Sequence, residues 1–151
     1  MSKAIMSNEN SRKSATKLLL VNWSRFSNVP IALEGSTLFT GVNGSGKSTI
    51  LDAMTYMLTG NTQFNKAALD RDRNVVSYVR GDTKSEGKNR FIREGEVTSY
   101  IAMEFWAPLD KQYLVVGVCI EYVNETSNTK KWFVFKDTRI DDCRLDRKSV
   151  V

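Results

Sequence analysis

The 151-residue chain contains no histidine and only two cysteines, Cys119 and Cys143. Without an imidazole, triads built on histidine and metal sites ligated by histidine are excluded. The two cysteines lack the paired spacing of a zinc site, and so few suit a reducing cytoplasm better than a disulfide scaffold. No apolar run approaches the roughly 18 residues that a membrane span needs. The opening stretch MSKAIMSNENSRKSATK has no apolar core of the secretory kind. Residues 1–16 are therefore expected to form a polar, mobile lead-in, and the chain to work in the cytoplasm without membrane contact. Charge of one sign is only mildly in excess: 22 Lys and Arg against 17 Asp and Glu leave +5. That balance permits a nucleic-acid partner and does not demand one.

What remains is the composition of one globular domain, with 41% hydrophobic and 26% charged residues and little room for a second core. KLLLVNW (17–23) reads as a buried strand, RFSNVP as a turn, IALEG (31–35) as a second strand and STLFTGV (36–42) as a third. Pro30 is not expected in a central strand. Ile50, Met54, Met57 and Leu58 recur at helical spacing, with Leu51 and Ala53 beside them, and Gly60 stands where a glycine stops a helix. Residues 61–81 suggest a short helical stretch, and 82–96 a mobile charged excursion. Beyond it the period changes. Val97, Ile101, Met103 and Phe105 share one face of a strand, 112–123 is almost continuously apolar, and 131–136 gives a further strand. The domain is expected to span 17–138, with 139–151 a charged tail that begins a linker or coiled coil. The class expected is α/β with a mixed sheet, antiparallel at one edge. No internal repeat is present.

The strongest motif is GVNGSGKST, residues 41–49, which satisfies G-x-x-x-x-G-K-[ST] between an apolar strand and an amphipathic helix. A phosphate chain needs several backbone N–H groups aimed at one point, and glycines permit that bend. The backbone from Val42 and Asn43 through Gly44, Ser45 and Gly46 would supply them. The helix start adds unpaired amides and a positive dipole end. Lys47 brings a point charge to the β- and γ-phosphates, as the expected catalytic residue, and the Ser48 hydroxyl suits Mg²⁺. Thr49 can reach the α-phosphate.

TGVNGSGKSTILDAM, preceded by LLLVNWSRF, resembles the N-terminal head segment of the SMC, RecF, RecN and MukB group of ABC-type ATPases. NWSRF, NKAALDRDRNVVSYVRGDT and REGEVTSYIAMEF are similar, more narrowly, to the MukB-like JetC subunits of Wadjet plasmid-defence systems. The resemblance runs from about Lys17 to about Lys136. It implies a P-loop NTPase fold, half of an ATPase head, whose other half lies beyond a long coiled coil and carries the signature motif and the Walker B acids. It implies ATP and Mg²⁺ as ligands and a homodimer of heads sandwiching two nucleotides. It also implies double-stranded DNA as the object of loop extrusion, with kleisin-type, winged-helix and topoisomerase-like nuclease subunits as partners.

No LSGGQ-like stretch follows Thr49, and no apolar run ends in Asp-Glu; RIDDCRL has two acids but no strand leading into them. The chain is therefore expected to bind ATP without hydrolysing it efficiently by itself. Arg25 is a candidate nucleotide contact, although Ser24 occupies the position that the resemblance would give to a basic residue. Trp23 reads as core. Lys66, Arg71, Arg73 and Arg80 form a basic cluster that could touch a DNA backbone, with Asp70 and Asp72 interleaved. Lys84, Lys88, Arg90 and Arg93 are weaker candidates on the charged excursion. Neither Gln63 nor Gln112 sits where a magnesium-sensing glutamine is expected. A small-molecule or nucleoside kinase is the alternative enzyme, fitted poorly by the β-rich second half; a nucleotide-gated docking fragment is the alternative without catalysis. A GTPase would need N-K-x-D, which is absent.

Overall fold

The structure, a computed structural model, describes residues 12–64, 73–83, 87, 90–143 and 145. Five strands form one sheet in the order β2-β1-β3-β4-β5, every pairing antiparallel. They are β1 (Ser14–Trp23), β2 (Phe26–Ala32), β3 (Val97–Ala107), β4 (Gln112–Asn124) and β5 (Ser127–Lys136). Helices α1 (Lys47–Thr59) and α2 (Val75–Arg80) lie between β2 and β3 in the chain.

Alternation along the strands decides which side chains meet which layer. Leu18 and Leu20 of β1 join Ile101 and Met103 of β3 and Val118 and Ile120 of β4 in the core beneath α1 and α2. Leu19 and Val21 point the other way, where Ala102, Val115, Ile140 and Cys143 surround them. β1, an inner strand, is thus buried on both faces, which is why KLLLV carries no polar alternation. Val97, Ile101, Met103 and Phe105 do share the helix face, as their spacing predicts.

Between helices and sheet sits an aromatic stack. Trp23 lies 4.6 Å from Tyr78 and 6.1 Å from Tyr56, both stacked, and Phe64 meets Trp23 and Tyr78 edge-on. The Trp23 indole N–H donates to the carbonyl of Thr49 in the first turns of α1 (3.2 Å). Trp23 is core, as expected, and it ties β1 to the helix that leaves the phosphate loop.

Several elements differ from the expectation. β2 begins at Phe26, inside the run expected to turn; the reversal is confined to Ser24 and Arg25, and Pro30 is accommodated because β2 is an edge strand. The parallel part of a mixed sheet is not formed among the described residues. Residues 36–42 carry a strand pattern but belong to no strand, and Leu38 and Val42 are 84% and 80% exposed. On α1 the buried line runs through Ile50, Ala53, Tyr56 and Met57, while Leu51 and Leu58 face outward. The helical stretch expected over 61–81 is the shorter α2, opened by a capping box between Asn74 and Ser77.

The expected charged excursion is partly built into the fold. Asp82 bridges Phe91, and Arg93 is only 7% exposed. Its guanidinium donates to Asn22 Oδ1 (3.1 Å) and to the carbonyls of Ser24 (2.8 Å), Val79 (3.1 Å) and Phe26 (3.1 Å). One side chain thereby joins the β1–β2 turn to the end of α2. Burial lowers its pKa from the usual guanidinium value.

The first residues of the expected tail also pack on the sheet. A 3₁₀ turn, Ile140–Asp142, lies across its second face, held by the carboxylate of Glu104, itself fully buried. Glu104 accepts from Thr16 Oγ1 (2.7 Å), Arg139 Nη2 (3.1 Å) and the Ile140 amide (2.9 Å). Burial raises its pKa, but the hydrogen bonds from Arg139, Thr16 and Ile140 outweigh it and leave the group below the ordinary value.

Candidate functional site

The turn before α1 is held in shape by its own backbone. The Ser45 amide donates to the Val42 carbonyl (3.1 Å), and the Ile50 amide to the Gly46 carbonyl (3.0 Å). Gly44 and Gly46 adopt φ of 82° and 103°, which a side chain would strain. A Cβ on Gly41 would meet Ser45 Oγ at 2.6 Å, and one on Gly46 would meet the Phe26 ring at 3.0 Å. These glycines are therefore spent on close approach as well as on the bend.

Helix α1 starts directly out of this turn. Its N-cap is Gly46, with no side-chain cap, and its first turn contains no acid. The leading amides and the positive end of the helix dipole are thus left for an anion. Lys47 folds over the loop, its ammonium donating to the carbonyls of Gly41 (2.6 Å) and Val42 (3.0 Å) and reaching Ser45 Oγ (3.4 Å).

The loop forms one wall of a cavity of about 730 Å³. Asn43, Gly44, Ser45, Gly46, Lys47, Ser48 and Thr49 all line it, so seven of the eight expected loop residues converge on one space. Val42 is the exception; it lends its carbonyl to Lys47. Arg25 lines the cavity too, with Ser24 beside it, from the β1–β2 turn. Opposite stand Asp82, Thr83, Arg90 and Ile92, where Arg90 grips Asp82 through two nitrogens (3.2 and 3.0 Å).

Arg73, named above as a candidate DNA contact, lines this cavity and pairs with Asp52 (3.4 Å). Asp52 is buried on α1, one turn beyond Ser48, and also accepts from the Tyr78 hydroxyl (2.5 Å). The Tyr78 pKa is pushed well above the ordinary phenol value, first by burial and then by the bond to Asp52. Arg80 is likewise committed inside the lobe, paired with Glu125 (3.2 Å) and lying over the Phe91 ring (3.6 Å). Lys66 and Arg71, like Lys84 and Lys88, lie outside the described residues. Arg93 is corrected from a surface cation to a buried clamp.

Asp52, Tyr78, Asp82 and Thr83 stand at or beside the cavity without having been expected there. Asp52 had a visible signal, an acid inside the apolar stripe of a helix. Asp82 and Thr83 had none, because closing the Asp82–Phe91 bridge brings them to the cavity.

Among the described residues, no three His, Cys, Asp or Glu side chains cluster to hold a metal. A divalent cation here would rest on the Ser48 hydroxyl and on the ligand's own oxygens, which fits a Mg²⁺ carried in with a phosphate chain. Among the described residues, no helix is long and apolar enough to cross a membrane.

Residues 15–71 match the family described as the P-loop containing region of AAA domain. No curated protein matches the chain. One similar solved structure comes from work on the structural biochemistry of ATP-driven dimerization and DNA-stimulated activation of SMC ATPases. It shares 20% identity at a TM-score of 0.49, over 84% of this chain and 74% of that one. The glycine turn and α1 lie within the residues that match a P-loop region, and the antiparallel sheet flanks them.

Proposed function

We propose that this lobe binds ATP with Mg²⁺ as the N-terminal part of an SMC-like ATPase head acting on DNA, of the MukB-like JetC kind. The observation that carries the nucleotide reading is the convergence of the uncapped α1 terminus, Lys47, Ser48 and Thr49 on one cavity, with Arg25 and Arg73 on its other walls. A polyanion meets donors from several directions there, and Lys47 is the charge placed to follow its terminal phosphates. Ser48 is the residue that would hold Mg²⁺, which supplies charge neutralisation when bound.

The split-head reading is supported by residues 36–42. An apolar, strand-patterned run leads straight into the phosphate loop, yet it has no sheet partner among the described residues and leaves Leu38 and Val42 outside. A second lobe carrying the signature and acidic motifs would supply those partners. Two such heads would then close on two nucleotides. Double-stranded DNA, kleisin-type and winged-helix subunits and a topoisomerase-like nuclease are the partners proposed on the resemblance to JetC, with the cytoplasm as the setting and plasmid restriction as the outcome.

The test is calorimetric titration of ATP·Mg²⁺ into the chain and its Lys47→Ala variant. Loss of measurable binding in the variant is expected, and equal affinity for both would end the nucleotide reading. Retention of the chain on duplex DNA should fall steeply as salt rises; retention indifferent to salt would remove the backbone-contact part. Hydrolysis should appear when the C-terminal half, expressed separately, is added. Its failure to appear while ATP still binds would favour a nucleotide-gated docking role.

A further inference from the structure

The two edges of the sheet are unlike each other. β2 carries Pro30, which has no N–H to offer a further strand, so that edge is blunted. β5 has no proline, runs from Ser127 to Lys136, and is paired on one side only among the described residues. Its outward backbone groups pair with no strand among the described residues.

The side chains along β5 are exposed almost throughout. On the helix face the order is Lys130, Trp132, Val134, Lys136, each two residues from the next, so two cations bracket two apolar groups. Trp132 is 48% exposed although its indole N–H is already anchored to the Met57 carbonyl at the end of α1 (2.9 Å). The ring is therefore held in place while half of it remains bare. On the opposite face Phe133 and Phe135 touch (5.1 Å), and Lys131 is neutralised by Glu121 (2.9 Å). Lys130 and Lys136 have no acid against them among the described residues.

Lysines on an edge strand ordinarily discourage pairing between copies. They do so here: an antiparallel pair of β5 strands centred on Phe133 would set Lys130 against Lys136 of the other copy at both ends. The same arrangement selects for a partner of opposite sign. We propose that the free edge of β5 docks an extended peptide segment of another protein, with apolar residues at two alternate positions and an acidic residue at each end. Backbone hydrogen bonds to the edge provide the attachment; Trp132 and Val134 receive the apolar side chains, and Lys130 and Lys136 fix the register. This proposal does not depend on the nucleotide reading.

The probe is an eight-residue synthetic peptide that alternates valine and threonine and carries two glutamates at each end, followed by fluorescence anisotropy against the whole chain. Saturable binding is expected, weakened at least about fivefold when lysines replace the glutamates, as two exposed cross-strand charge pairs would dictate. The Lys130→Glu, Lys136→Glu double variant, whose fold is checked by circular dichroism, should reverse the preference and take the lysine-ended peptide. Backbone N-methylation at alternate residues should abolish binding. Equal binding of both peptides, binding that survives N-methylation, or no saturable binding would each overturn the proposal. So would self-association through β5, seen as a dimer in sedimentation that Val134→Pro abolishes, because the occupant would then be a second copy.

Discussion

Glu104 and Tyr56 show how differently two buried polar side chains can be treated. Glu104 has a partner for each direction it faces, and its ionised form is the one those partners favour. A carboxylate whose pKa is lowered by folding stabilises the native state above its unfolded value, about 4.3, and that contribution fades as pH falls through the lower folded value. Glu104→Gln should therefore lose about 2 kcal/mol at neutral pH. Its urea midpoint should also change less than that of the wild type between pH 5 and strongly acid conditions. The Tyr56 hydroxyl, in contrast, is buried with no hydrogen-bond partner among the described residues, and burial raises its pKa. Tyr56→Phe removes the unsatisfied group and keeps the ring against Trp23, so thermal denaturation should register a gain of about 1 kcal/mol.

At the level of elements, the phosphate loop and α1 depend on one another. Gly46 is at once the last residue of the turn, the N-cap of α1 and the surface on which the Phe26 ring rests. Gly46→Ala should cost about 2 kcal/mol through strain at its positive φ. It should also weaken ATP binding, because the ring or the turn must move; calorimetry and denaturation on the same sample would separate the two losses. These elements were legible in the sequence because their chemistry is local, as was the alternation of β3. Of β2 only the last two residues, Ile31 and Ala32, were, because an edge strand with one wet face reads as a polar turn. Arg93 gave no sign either: its acceptors lie near residues 22–26 and at 79, and only the folded chain brings them to one guanidinium. The exposure of Leu38 could not be read from a run that looks like any buried strand.

At the level of the molecule, the sheet separates two kinds of work. One face carries α1, α2 and the cavity; the other is crossed by the turn that Glu104 holds. A ligand that binds only the folded lobe must stabilise all of it. ATP·Mg²⁺ at about a hundredfold excess over its dissociation constant should add about 2.7 kcal/mol to unfolding, seen as a rise in the melting midpoint that Lys47→Ala abolishes.

With Lys47 already donating to two carbonyls of its own loop, capture of a polyphosphate would be an exchange of partners, not the filling of a bare charge. A singly charged anion offers too little to displace that internal chelate, whereas a triphosphate can. Chloride or acetate at ordinary buffer strength should therefore compete poorly for the loop, and the resting lysine would then act as a threshold that selects for charge density.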